Sequence, residues 1–169
     1  FLINSLINIR FKKKNKIDVK EIKSFDPDLD YVWENTKQNN TFIAVRNHEY
    51  LKQLYSDEKF IKLKFFDKNQ IIGWSISLCT QLKNHKQFHN MKLGSIIDCL
   101  SLKGYEDSII NQTTEILKNK GSDLIVSNQS HTFWRKAFKR NSFLRGPSNF
   151  IFASSQDLTN NLNSKNYMH

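Results

Sequence analysis

Between Phe60 and Leu82 the apolar residues fall at every second position. Ile61, Leu63 and Phe65 alternate with Lys62 and Lys64, the turn-forming run Asp67, Lys68 and Asn69 interrupts, and Ile72, Trp74, Ile76 and Leu78 then alternate with Gly73, Ser75, Ser77 and Cys79. A period of two belongs to β-strands, whose side chains point to opposite faces in turn. Two such runs joined by turn residues predict an antiparallel hairpin. The first strand reads as half-exposed, with Lys62 and Lys64 on the solvent side. The second places large residues on one face and small ones on the other, so that a neighbouring element can pack closely against the small side.

The flanking sequence supplies the rest of a layered domain. Lys83 to Met91 is polar and reads as a connection, whereas Ser95 to Leu102 is an almost continuous apolar run, interrupted by Asp98, that predicts a mid-sheet strand. From Gly104 the period becomes helical, with Tyr105, Ile109, Ile110, Ile116 and Leu117 in phase and Gly121 closing the helix. Asp123 to Ser127 predicts a short buried strand. Phe133, Trp134, Ala137 and Phe138 mark a further helix, and Phe150 to Phe152 a last strand.

Upstream, a strand within Ile17 to Phe25 leads to Asp26-Pro27, a helix cap and first turn, and to a helix carrying Leu29, Val32, Trp33 and Thr36. Thr41 to Val45 is β-prone, and Asn47 caps a short helix with Tyr50, Leu51, Leu54 and Tyr55 on one face. Strands alternating with helices in the second half require right-handed crossovers and parallel pairing there. The expected class is therefore α/β, a mixed sheet flanked by helices. With 169 residues, thirteen Phe and three Trp, one domain over 17–154 can be filled. Residues 1–16 read as the end of a preceding domain or a linker in a longer protein, too short an apolar run to span a bilayer, and 155–169 as a polar, flexible tail.

Lys and Arg number 26 against 16 Asp and Glu, a net charge of +10, which favours an anionic partner. No acidic residue lies between Asp123 and Asp157, while Arg135, Lys136, Lys139, Arg140 and Arg145 do. Cys79 and Cys99 sit in apolar runs without a Cys or His at ligand spacing, and read as buried free thiols of a reducing, cytoplasmic compartment. His85 and His89 are four apart in a polar stretch that lacks a third ligand, so no metal site is expected.

The order of hairpin, central strand, helix, short strand, helix ending in Asn141-Ser142-Phe143, and final strand resembles the GNAT acyltransferase superfamily over roughly residues 17 to 154. FDPDLDYVWE at Phe25 to Glu34, followed by IAVRNHEYL at Ile43 to Leu51, is similar to the second halves of tandem, FemAB-like bacterial acyltransferases, which carry a V-R-D-x-x-Y-L signature. Asn47 stands at the Asp of that signature. The resemblance implies that an acyl-coenzyme A substrate, acetyl-coenzyme A or another, lies between the central strand and the strand after the next helix. Its pyrophosphate would rest at the helix N-terminus on a glycine-rich loop, where free N–H groups and the helix dipole favour an anion.

Carried onto this sequence, the resemblance places Leu100, Ser101, Leu102, Lys103, Gly104, Tyr105 and Asn128 at the cofactor. Gly104 alone remains of the loop's glycines, and Glu106 and Asp107 follow where phosphate would sit. The Tyr that protonates the leaving thiolate in such enzymes falls on Phe138, which cannot transfer a proton.

Asp98, a carboxylate in an apolar strand, is the candidate general base for an attacking ammonium. The alternative is a structural carboxylate that anchors the Lys83 to Met91 connection or pairs with a nearby Lys. The implied acceptor is an amine on a small molecule, an amino sugar or a peptide, and the implied partner an upstream half of the same fold. Two other readings remain open: a catalytically inactive domain supporting that missing half, and a tRNA- or nucleic-acid-binding basic domain using Arg135 to Arg140 and Lys12 to Lys16.

Overall fold

The computed structural model describes residues 17–39, 43–129, 131–146, 155–157 and 160. The expected strand at Phe150 to Phe152, the segment 1–16, Thr41 and most of the tail lie outside them. Among the described residues five strands form one sheet in the order of the chain: β1 (Asp18–Ile22), β2 (Ile61–Asp67), β3 (Gln70–His85), β4 (His89–Ser101) and β5 (Leu124–Ser127). The first three pairings are antiparallel and β4 with β5 is parallel, so the sheet is mixed, as the sequence pattern requires.

Helices cover both faces of the sheet. A 3-10 turn at Pro27–Leu29 leads into α1 (Asp30–Thr36), and α2 is His48–Leu54. Phe25, Leu29, Val32, Trp33 and Leu51 pack from these elements onto Ile71, Trp74, Ile76 and Leu100. The opposite face is covered by α3 (Glu106–Asn119) and α4 (Thr132–Arg140). There Ile109, Ile110, Leu117, Trp134, Ala137 and Phe138 lie over Leu63, Phe65, Ile72, Ile96 and Cys99.

The small side of β3 receives α3 at close range. A Cβ on Gly73 would stand 2.4 Å from Ile109 Cδ1 and 2.6 Å from the Leu100 carbonyl oxygen. Ser75 Oγ lies 2.8 Å from Thr113 Oγ1, and Cys79 Sγ 3.2 Å from Ser122 Oγ. Two expected helix ends are also as read: Asn47 Oδ1 accepts the Tyr50 N–H at 2.9 Å, and Gly121 takes φ +84° after α3.

Four expectations are corrected. Lys62 and Lys64 are buried, 2% and 4% exposed, because the β1–α1 loop and the end of α2 cover their face. Lys64 is neutralised there by Asp26 and by Asp28 at 2.5 Å, so the Asp26 carboxylate serves that ion pair and makes no cap bond to the turn at Pro27. Ile72 does not share a face with Trp74 and Ile76. A register shift at Phe65/Phe66 leaves it the extra residue of the pair, and it turns to the α3 side. Lys83 to Met91 is mostly strand, since β3 and β4 run on to a turn at residues 86–88. Its residues are polar because this end of the hairpin runs beyond the helices, with both faces largely wet.

Candidate active site

Two irregularities of β4 coincide. Its register against β3 shifts between Ile76 and Ser77, leaving Ile97 as an extra residue, and its pairing with β5 ends at Ile96 opposite Ser127. The bulge bends the strand and re-aims the residues beyond it, and from there β4 runs on past the end of β5 at Ser127. Asp98, the next residue, is paired with Ile76 and so faces the α1/α2 side of the sheet.

Asp98 is 8% exposed, and its partner comes from 52 residues upstream. Arg46 Nε lies 2.9 Å from Oδ2 and 3.3 Å from Oδ1, while Oδ1 also accepts the Cys99 N–H at 2.9 Å. Arg46 Nη1 donates to the Ala44 carbonyl at 3.1 Å. The segment holding Arg46 is fixed by its neighbours: Asn47 caps α2, and the His48 N–H and Nδ1 meet the Asp30 carboxylate at 2.7 and 2.6 Å. The VRNHEYL motif thus works as a bracket. It ties α2 to α1 and delivers one guanidinium to the carboxylate at the bulge.

Tyr55, at the end of α2, completes this face. Burial, and then the charge of Asp98, push its phenol above the ordinary value, with Arg46 pulling the other way, so it is a hydroxyl donor at neutral pH. The Cys99 thiol is fully buried and pushed well up, by burial first and then by Asp98, which removes it as a nucleophile.

The start of α3 is built differently from a phosphate cradle. Gly104 adopts φ +95° with open space where a Cβ would be, so glycine serves the turn there. Its N–H donates to Glu106 Oε2 at 2.9 Å, the Leu102 N–H goes to the Ile72 carbonyl at 2.8 Å, and the Tyr105 N–H to the Leu102 carbonyl at 3.3 Å. Asp107, the second first-turn carboxylate, holds Arg140 Nε at 2.7 Å. A carboxylate of the chain itself therefore takes the Gly104 N–H in front of this helix, and a pyrophosphate using that donor would have to displace it.

The other expected contacts spread along the same edge. Leu100 is buried in the α1/α2 core, Ser101 Oγ is buried without a hydrogen-bond partner among the described residues, and Lys103 is exposed. Tyr105 Oη donates to Asp67 Oδ2 at 2.8 Å. Asn128 is exposed just past β5, and its neighbour Gln129 reaches into the gap between the strands, donating from Nε2 to the Ile97 carbonyl at 3.0 Å. Phe138 is core, packed edge-on against Phe143 at 4.9 Å. Of the basic helix, Arg135, Lys136 and Lys139 are exposed, while Arg140 is spent on Asp107.

Sequence reasoning missed Arg46 and Tyr55 as members of this site. The usable signal was Asp98 itself, because a buried carboxylate demands a cation, and Arg46 is the charge between the apolar stretch Ile43–Val45 and a helix cap.

No protein-family model matches the chain, and no curated protein resembles it in sequence. Solved structures do. A GNAT family acetyltransferase of Staphylococcus aureus superposes with a TM-score of 0.56 at 16% identity, covering 83% of this chain and 100% of that one. The fold is that of the GNAT acetyltransferases.

Other GNAT-fold neighbours include a ribosomal-protein-alanine N-acetyltransferase from Brucella melitensis (TM-score 0.59, 11% identity, covering 83% and 100%). An aminoglycoside acetyltransferase from an uncultured soil metagenomic sample, in complex with trehalose, matches with a TM-score of 0.57 at 14% identity, covering 82% and 97%. Identities this low speak for the GNAT fold and leave the chemistry to the site. Among the described residues no three His, Cys, Asp or Glu side chains are placed to hold a metal, and no helix is long and apolar enough to cross a membrane.

Proposed function

We propose that the chain is an N-acyltransferase-like domain that takes an acyl thioester, as acyl-coenzyme A, along the edge of β4 beyond Ile96 and an amine from the α1/α2 side. The observation that carries this reading is the Arg46–Asp98 pair, set at the bulge where β4 runs past the end of β5. A carboxylate held there accepts the proton of the attacking ammonium, directly or through a water, as the C–N bond forms and the C–S bond breaks. The thiolate takes its proton from solvent, since Phe138 has none to give. Arg46 orients the carboxylate, and the neutral Tyr55 hydroxyl offers a hydrogen bond to the acceptor.

The acceptor is proposed to be an amine on a small molecule, amino sugar or peptide, the chemistry that the names of two fold neighbours carry, aminoglycoside and ribosomal-protein-alanine acetylation. The VRNHEYL bracket supports the finer likeness to second halves of tandem transferases, and with it a partner half upstream. Two free cysteines fit a reducing, cytoplasmic setting.

A second reading is favoured by Glu106 on the Gly104 N–H and Gln129 on the Ile97 carbonyl: an inactive domain that supports an upstream half. Amine-dependent release of thiol from acetyl-coenzyme A separates the two. The transferase reading expects release that falls on the order of 10² to 10⁴ fold in Asp98→Asn with the fold retained. A folded wild-type chain without amine-dependent release overturns it.

A further inference from the structure

We propose that the cavity between the end of β1, the last turn of α2 and the start of β2 binds an oxyanion, the anionic group of the acceptor. It encloses about 140 Å³ and is lined by Lys23, Ser24, Phe25, Lys52, Tyr55 and Ser56, with Lys62 at its base. A single water needs roughly 10–15 Å³, so the space suits a larger group.

Lys62 is the argument. It lies two residues from Lys64 on the same face of β2, and both are nearly fully buried. Lys64 is neutralised by two carboxylates, Asp26 and Asp28. Lys62 Nζ instead donates to two backbone carbonyls, of Lys23 and Asp57, each at 3.1 Å, and among the described residues it forms no ion pair. Neither does Lys23 or Lys52.

The Asp57 carboxylate is committed elsewhere, to the Lys59 N–H at 2.8 Å and Lys59 Nζ at 3.0 Å; those bonds, with the Lys62 charge adding last, hold it below the ordinary carboxylate range. A buried ammonium bonded to carbonyls alone, with the nearby Asp57 carboxylate turned to Lys59, is costly, and one N–H of Lys62 is left to give. Lys23, Lys52 and Lys62 line the cavity together with the hydroxyls of Ser24, Ser56 and Tyr55 and without a carboxylate, a cationic setting that a phosphate or carboxylate satisfies.

Placing this oxyanion on the acceptor rests on the transferase reading above: Tyr55 lines the cavity, and Lys62 of β2 and Asp98 of β4 both pair with Ile76, so the cavity and Asp98 share the α1/α2 face of the sheet. An acceptor with an amine at one end and an acidic group at the other would bridge the two.

The test is calorimetric titration of the folded chain with inorganic phosphate and, separately, acetate at constant ionic strength. Saturable binding is expected, tighter for phosphate than for acetate if the natural group is a phosphate and no weaker for acetate if it is a carboxylate. Lys52→Glu, at the exposed rim, should abolish it, and Lys62→Met should weaken it at least about tenfold, the loss of one charge-assisted hydrogen bond. No saturable heat in the wild type, or equal affinity in both variants, overturns the site. Phosphate binding by a chain that transfers no acyl group leaves the site standing and fails the transferase reading alone. With turnover, phosphate should compete with the amine, and failure to compete removes the oxyanion from the acceptor.

Discussion

Arg46→Met leaves the Asp98 carboxylate with the Cys99 N–H as its remaining partner among the described residues. Removing one member of a buried ion pair costs about 3–5 kcal/mol when both are dry. Here the side chains keep 23% and 11% of their exposure, so about 2–4 kcal/mol is expected, given the weakening of such pairs by solvent. In a chain of 169 residues that lowers the thermal midpoint by roughly 5–15 °C. Asp98→Asn keeps an oxygen for the Cys99 N–H yet strands the guanidinium, and should cost less because Arg46 can turn toward water. The double variant is the decisive member: with both charges gone neither is stranded, so its loss should fall short of the sum of the single losses by about 1–3 kcal/mol. Thermal and denaturant unfolding of the four proteins measures this cycle. Additive losses would show that the two groups do not depend on each other and would refute the bracket assigned to VRNHEYL.

Three further outcomes are expected from the geometry. Gly73→Ala should destabilise by about 1–3 kcal/mol, read by chemical denaturation, since its Cβ meets the Leu100 carbonyl as well as Ile109; Ile109→Val should recover only part, because the carbonyl contact remains. Tyr55 and Tyr105 are both raised above the ordinary 10.0, Tyr55 mainly by burial and Tyr105 mainly by its bond to Asp67. Their contribution to stability is therefore fully present below pH 10.0 and is lost as pH rises through their folded values. In a phenolate absorbance titration Tyr55→Phe should remove a late-ionising step, which Asp98→Asn moves earlier and Arg46→Met later. Glu106→Ala frees the Gly104 N–H, and should tighten coenzyme A binding about two- to fivefold, the effect of a helix-end anion term of about 0.3–1 kcal/mol; unchanged or weaker binding would deny the competition.

What was legible in the sequence was what local pattern encodes. Period two gave the β2–β3 pair, the small residues at 73, 75 and 79 announced the close approach of α3, and Asn47 and Gly121 marked helix ends. The length of the β3–β4 hairpin was hidden because polarity reports burial, whereas strand pairing is made by the backbone and continues past the helices. Lys62 and Lys64 misled for the reverse reason, as charged side chains can be buried when carboxylates and carbonyls from distant loops receive them. Asp98 was legible as a costly group in an apolar strand, but its partner Arg46 lies 52 residues away. Nor does composition mark the extra residue Ile97, which looks like any other apolar position in its strand.

Calorimetric titration of the folded chain with acetyl-coenzyme A at moderate salt tests whether the edge of β4 beyond Ile96 receives an acyl thioester. A saturable, one-to-one heat is expected, which Gln129→Ala, by clearing the Ile97 carbonyl, leaves intact or strengthens. A chain that melts cooperatively yet gives no saturable heat, in the wild type and in Gln129→Ala and Glu106→Ala alike, would contradict it and leave the supporting-domain reading in its place.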